Sequence, residues 1–266
     1  MPVAPITLTS LSLATLVVAL VPVFLYRRLR KPFALDWRDT VAGIAVFALF
    51  ATVIERALNS YALQPGGPVA ALLAHPLAFV VYGALVAGVC EEVGRYIAMR
   101  LLARRAASRG GLPRDGTGLG YGIGHGGAEA WLVGVLVQLQ WIVFAVLANR
   151  GQLDQHLTNL PVESVMRVHL VLAALSPRFA GVFVLERAAA FVFQIALSVL
   201  MWRGVRAGSK SILPIAIVAH ALIDLPAAMY QARFATLPVV DGLYVVVAIF
   251  VAVVLCRNCR PDPRAA

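Results

Sequence analysis

Seven apolar stretches constrain this sequence more than any other feature. They cover residues 5–26, 39–60, 68–100, 117–148, 178–202, 211–231 and 236–256. A helix of about 20 residues crosses the hydrocarbon core of a bilayer. The 266-residue chain is 61% hydrophobic and 14% charged, whereas soluble domains carry about 25% charged residues. The sequence therefore predicts an all-α fold, a polytopic bundle of about seven transmembrane helices, and excludes a soluble globular domain.

Basic residues are distributed unevenly between the loops. Sixteen lie in the segments 27–38, 100–114 and 203–210 and in the C-terminal tail, against four in the alternate loops. The positive-inside rule places the basic loops in the cytoplasm. We therefore expect the N-terminus outside and the C-terminus in the cytoplasm. The same rule accounts for the net charge of +10 without nucleic acid as a partner, and we see no basic groove with interleaved aromatic residues.

The chain has no internal repeat and no low-complexity tract, so we expect one integral membrane domain over residues 1–266, with a catalytic core at about 68–231. The longest connection, 149–177, has a mixed composition. We predict a short interfacial helix from Val162 to Leu175 within it. The fourth span begins with seven glycines between residues 116 and 127. They predict close backbone approach to a neighbouring helix or to a ligand, with His125 at a position where a substrate backbone or the helix that carries Glu91 and Glu92 comes very near.

Eleven ionisable side chains inside the spans are the strongest functional signal, because each costs at least about 2.5–3.5 kcal/mol at the bilayer centre. They are Glu55, Arg56, Glu91, Glu92, Arg95, His125, Glu129, Glu186, Arg187, His220 and Asp224. At a rise of 1.5 Å per residue, Glu91, Glu92, His125 and His220 all lie about 12–13 Å from the cytoplasmic ends of their helices. Gln194 reaches the same level. Glu129 and Asp224 each follow a histidine by one helical turn.

A second group lies deeper in the membrane. The dipeptides Glu55–Arg56 and Glu186–Arg187 are both about 24 Å from the cytoplasmic side. Since each dipeptide can neutralise the other, we expect a structural double ion pair between the second and fifth spans.

The shallower cluster has the composition of a hydrolytic site. Two adjacent glutamates in a low-dielectric site do not readily both ionise, and one of them can act as a general base towards water. Arg95 can hold the other carboxylate ionised, and His125 can share the proton. His220 and Asp224 can stabilise negative charge on an attacked carbonyl group. This set suits peptide-bond hydrolysis at membrane depth.

Three alternatives stay open at this stage. His125, His220 and a glutamate such as Glu91 could bind Zn²⁺ with one position left for water. The same buried groups also suit a proton- or ion-coupled membrane transporter. A non-catalytic scaffold would use the charges only as structural pairs.

Three motifs carry a family resemblance: Cys-Glu-Glu-Val-Gly-Arg-Tyr at 90–96, Tyr-Gly-Ile-Gly-His-Gly-Gly-Ala-Glu at 121–129 and His-Ala-Leu-Ile-Asp at 220–224. The sequence resembles the YhfC family of intramembrane metalloproteases, which is similar to the wider group of type II CAAX prenyl proteases and bacteriocin-processing enzymes. Tyr121 to His125 fits the second motif of that group and His220 to Asp224 the third. The distance from Glu92 to Arg95 is one residue shorter than in its first motif.

The resemblance implies a protease of the bacterial cytoplasmic membrane whose substrate is a membrane-embedded or lipid-anchored protein or peptide. It implies Glu91 as the residue that activates water, with Glu92 as its partner and His125 as a second activating group. His220 and Asp224 would stabilise the oxyanion. The stretch 185–200 also resembles the family, with Gln194 lining the site.

Overall fold

The computed structural model describes residues 2–108 and 115–259, and within this part of the chain every regular element is a helix. Seven helices are long and apolar enough to cross a membrane: α1 (Pro5–Arg30), α2 (Trp37–Ala62), α4 (Pro76–Ser108), α5 (Asp115–Asn149), α8 (Pro177–Arg206), α9 (Ile212–Gln231) and α10 (Leu237–Asn258). Three short helices lie between them: α3 (Pro68–Leu73), α6 (Leu153–His156) and α7 (Val162–Ala174). The predicted all-α bundle of seven spans is confirmed, and the chain is a multi-pass membrane protein.

The third span differs from its prediction. The apolar run 68–100 predicted one continuous helix, but α3 ends at Leu73 and α4 begins at Pro76. Proline lacks a backbone N–H and disfavours the helical conformation in the residue before it, so it starts a new helix here and does not continue the old one. The other six spans differ from the prediction only at their ends.

The predicted helix in the long connection is present as α7. Val168 and Leu172 pack into a buried cluster with residues of α1, and His169 Nε2 lies 2.9 Å from Asp154 Oδ1 of α6. Met166 lies on an exposed side of the helix. The helix itself is confirmed, while its position at the membrane surface stays a prediction.

Two ends of the bundle can be distinguished. At one end, Arg206, the last residue of α8, forms an ion pair with Asp115 at the start of α5. At the other end, the backbone N–H of Val3 donates to Asn149 Oδ1 at 2.6 Å. We call the first end the arginine-rich face, defined by residues 27–38, 100–108, 203–210 and 257–259, and the second the opposite face. Four of the basic residues counted for the arginine-rich face lie outside the described residues: Arg109, Arg114, Arg260 and Arg264.

The first half of α5 is thin enough to lie between two other helices. A Cβ atom at Gly124 would overlap the backbone of Thr40 in α2, and one at Gly122 would lie 2.9 Å from Ser198 Cβ in α8. The predicted close approach is therefore present, but its partners are α2 and α8. His125, on the same helix, contacts the helix of the two glutamates through Glu91 Oε2 at 2.9 Å, as expected, while the backbone contacts at Gly122 and Gly124 are with α8 and α2.

Candidate active site

Six polar side chains from four helices meet near the middle of the bundle. They are Glu91, Glu92 and Arg95 of α4, His125 of α5, Gln194 of α8 and His220 of α9, and all are buried. His220 is the eighth residue after the start of α9, about 12 Å along the helix axis. The structure thus brings together, at one depth, residues that are up to 129 positions apart in the sequence.

Glu91 lies at the centre of the hydrogen bonds. Its Oε2 atom is 2.9 Å from His125 Nε2 and accepts a second hydrogen bond from Gln194 Nε2 at 3.0 Å. Arg95 Nη2 lies 3.8 Å from the same oxygen. A carboxylate can only accept, so the imidazole donates from Nε2. Two donors and a nearby cation fix the orientation of this carboxylate.

Glu92 is held by a different set of partners. Its Oε1 atom accepts a hydrogen bond from Arg95 Nη1 at 2.6 Å and lies 2.8 Å from His220 Nδ1. Arg95 also donates to Gln194 Oε1, so one guanidinium group links both glutamates to α8. Because Nδ1 of His220 donates to Glu92, its Nε2 atom is directed away from α4.

His125 lies behind Glu91. Its ring is fully buried, with an edge contact to Phe47 of α2 at 5.2 Å between centroids and a stacking contact to Tyr121 at 5.8 Å. Within the described residues, Nδ1 has no hydrogen-bond partner. The sequence did not single out Phe47, because an apolar residue in an apolar span carries no distinguishing signal.

A cavity of about 250 Å³ adjoins the cluster. Gln194 and His220 form its wall nearest the glutamates, and Asp224 lies beside them. His220 Nε2 is 3.5 Å from Asp224 Oδ2, a distance too long for a strong hydrogen bond. His220 Nε2 and the Asp224 carboxyl group can therefore each form a hydrogen bond to a molecule in the cavity.

The deeper charges are paired differently from the prediction. Arg187 pairs with Glu129 at 3.3 Å and not with Glu55, while Glu55 accepts a hydrogen bond from Asn59 at 3.2 Å. The expected double ion pair of Glu55–Arg56 with Glu186–Arg187 is wrong in the described structure. Depth along the helix axes was equal, but α5 lies between α2 and α8 and separates the two dipeptides laterally.

The comparison with known proteins now adds a family to this geometry. The sequence profile of the family described as YhfC intramembrane metalloprotease matches residues 17–245, a range that contains the whole buried cluster. The chain belongs to the YhfC family. It is 31% identical over 222 residues to the uncharacterized membrane protein YhfC of Bacillus subtilis (strain 168), which covers 83% of this chain and 84% of the relative. No solved structure is significantly similar to this chain.

The name of the YhfC family implies a metal, so we tested whether the donor atoms fit one. Among residues 2–108 and 115–259, no group of three or more His, Cys, Asp or Glu side chains is arranged to hold a metal ion. The predicted ligands His125 and His220 direct a ring nitrogen at Glu91 and Glu92, respectively. The guanidinium group of Arg95 already lies between the two carboxylates, where it opposes a second cation. The zinc site predicted from His125, His220 and Glu91 does not fit this arrangement.

One ionisable residue of this YhfC-family chain escaped the sequence analysis. Asp241 lies in the first turn or two of α10, and its carboxyl group is beside that of Glu186. The signal was available, because an aspartate within the last apolar span is as unusual as the eleven residues already singled out. Tyr244, one turn further along, donates a hydrogen bond to the carbonyl group of Ile223 at 3.0 Å and had no such signal.

Proposed function

We propose that this chain is an intramembrane protease that hydrolyses a peptide bond in a membrane-embedded or lipid-anchored protein or peptide, in the manner of the CAAX-protease-like enzymes. One observation carries the proposal. Glu91 is a carboxylate oriented by His125 and Gln194, and its side chain keeps 7% exposure where that of Glu92 has none. Its partner Gln194 lines the cavity, and a buried, oriented carboxylate within reach of water is what a general base needs.

The reaction uses Glu91 as the base towards water. A water molecule in the cavity gives a proton to the Glu91 carboxylate while its oxygen attacks the carbonyl carbon of the substrate. The tetrahedral intermediate carries negative charge on the former carbonyl oxygen. A proton on His220 Nε2 donates a hydrogen bond to that oxygen. Glu91 then returns its proton to the nitrogen of the leaving amine, and the carbon–nitrogen bond breaks.

The remaining side chains hold this arrangement in place. His125 orients Glu91 from behind, Glu92 orients His220, and Arg95 balances the two carboxylates. Asp224 faces His220 Nε2 from the cavity side and favours a proton on that nitrogen. Tyr121 supports the His125 ring. Glu129 pairs with Arg187 further along the cavity.

We further propose that residues 1–266 form one membrane domain with its catalytic core at about 68–231. The charge asymmetry of the loops supports a location in a bacterial cytoplasmic membrane, with the N-terminus outside and the C-terminus in the cytoplasm.

Glu91→Gln tests the proposed base. The amide keeps the shape of the side chain but cannot take up a proton, so we expect at least a hundredfold slower cleavage with the protein still folded. The measurement compares peptide termini, by quantitative mass spectrometry, in membranes of cells that produce the wild type or the variant.

Glu163→Gln is the matched control, since Glu163 is exposed on α7. Termini that depend on the wild type should persist in the control and disappear in Glu91→Gln. Unchanged termini in Glu91→Gln would contradict the base assignment. An ion flux in reconstituted vesicles that depends on Glu91, without any change in termini, would favour the transporter.

A further inference from the structure

We propose that the substrate of the protease described above reaches the site from the opposite face of the bundle and not from the arginine-rich face. This inference rests on the proposed function in one respect, namely that the molecule which enters is the substrate of a protease. The route itself is argued from packing alone. The occupant is a peptide segment on the side of the membrane at which α9 ends and α10 begins.

The arginine-rich side of the cluster is closed by a packed apolar layer. Met99 lies one turn beyond Arg95 on that side, and Ala216 lies one turn before His220; both are fully buried. The rest of the layer, also buried, consists of Ala98, Tyr121, Met201, Trp202 and Ile212. Packed interiors leave few voids larger than a water molecule. A peptide therefore has no path to the glutamates through this layer.

The cavity extends in the other direction. Along α9 its lining runs from His220 through Asp224 and Ala227 to Tyr230, one residue before the helix ends. Along α8 the lining runs from Leu197 through Gln194 back to Glu186, so most of it lies towards the start of that helix. Since α8 and α9 run in opposite directions, both progressions lead to the same end of the bundle. That end is the opposite face.

Polar groups accompany the cavity in this half of the membrane. The Glu129–Arg187 pair and Glu186 line its wall. On the other side of the glutamates, Tyr82 donates to Asn59 Oδ1 at 2.6 Å, which places a further polar pair towards the same face. Because each buried charged group is costly in hydrocarbon, these groups along the cavity indicate a path that holds water in this half of the bundle.

A second groove adjoins the cavity and offers a competing route to the site. It has a volume of about 340 Å³, runs along α8 and α10 to Arg203 and Asn258, and shares Phe193, Leu197 and Ile223 with the cavity. Its lining between these ends is almost entirely apolar, and the hydroxyl group of Tyr244 bridges to Ile223 where groove and cavity meet. Neither Gln194 nor His220 lines it. The groove suits lipid chains better than a peptide backbone.

Accessibility of single cysteines tests the route without any proteolytic assay. The three native residues Cys90, Cys256 and Cys259 are replaced by alanine, and one cysteine is introduced at Ala227, in the cavity wall. Ala216→Cys in the apolar layer of the same helix is the matched control.

A membrane-impermeant maleimide is added to intact cells or to inside-out vesicles. Asn159→Cys and Ala207→Cys, both exposed, mark the opposite and arginine-rich faces and also test the predicted orientation.

We expect Ala227→Cys to react from the same side as Asn159→Cys, at least about tenfold faster than Ala216→Cys, because maleimides need a hydrated thiolate. Ala190→Cys on α8 should give the same result and provides a second position if the first variant does not fold. If the maleimide labelled the cysteines at positions 227 and 190 from the same side as Ala207→Cys, or from neither side, the proposed route would be wrong. The labelling can be repeated in Glu91→Gln, so a failure of the route is distinguishable from a failure of the proposed protease activity.

Discussion

At the scale of single residues, two adjacent glutamates have different environments. Glu91 contacts His125 and Gln194 beside the cavity, while Glu92 is enclosed between Arg95 and His220. Successive residues of a helix point about 100° apart, so neighbours in sequence face different partners. This separation allows one carboxylate to act on water while the other orients a histidine.

Glu92→Gln should therefore damage stability and activity together. The amide leaves the fully buried Arg95 without its closest carboxylate, and breaking a buried ion pair costs about 3–5 kcal/mol. We expect a lower melting temperature and cleavage about 10–100-fold slower, as for other residues that orient a reacting group. Thermal unfolding and the cleavage assay give the two values. A variant with the stability and rate of the wild type would contradict the role of Glu92.

At the scale of elements, α5 determines how closely the bundle can assemble around His125. Its glycines admit the backbone of α2 on one side and side chains of α8 on the other. The same helix contains a π-helical turn at Ala130–Val135, immediately after Glu129, and α2 contains another at Phe50–Glu55. Such turns change the face that the following residues present and are frequent at functional sites.

Gly124→Ala tests the close contact between α5 and α2. The new Cβ atom would overlap the backbone of Thr40, so one helix has to shift and carry His125 with it. Overpacking of this kind costs about 1–3 kcal/mol, and we expect a clear loss of cleavage as well.

Gly181→Ala on α8 is the matched control, because nothing lies within 4 Å of its added Cβ atom. Alanine is the better helix former, so its melting temperature should stay equal or rise slightly. Equal stability of the two variants would show that the contact at Gly124 is not tight.

At the scale of the whole molecule, the bundle balances the charges of the site with its own side chains. Arg95 comes from α4 and Arg187 from α8, and between them they reach carboxylates on α4 and α5. Three helices, α4, α5 and α8, must therefore assemble before these ion pairs form. A cation from solution has no evident place in this arrangement.

Metal removal should consequently leave the protein unchanged. A ligand that binds only the folded state raises its stability by about RT ln(1 + [L]/Kd), so loss of a resident metal would lower the melting temperature. After dialysis against a chelator, we expect the same melting temperature and the same cleavage rate. A fall in both, restored by Zn²⁺, would show that the cluster rearranges to bind a metal.

Much of the fold was predictable from the sequence, because lipid allows few solutions for an apolar chain. Seven apolar runs predicted seven spans, and only Pro76 divided one of them. The depth of Glu91, His125 and His220 was also predictable, since the rise per residue of a helix is constant.

Counting residues along the helices was enough to predict which side chains share one depth in the membrane, but which of them meet depends on the packing of the helices. Position along a helix follows from counting residues, whereas the lateral arrangement depends on which helices pack together. For this reason Arg187 was expected to pair with Glu55 but pairs with Glu129. Lateral packing also decided that Gln194, the partner of Glu91, lines the cavity, that His125 contacts Glu91 from α5, and that the cavity extends towards the opposite face.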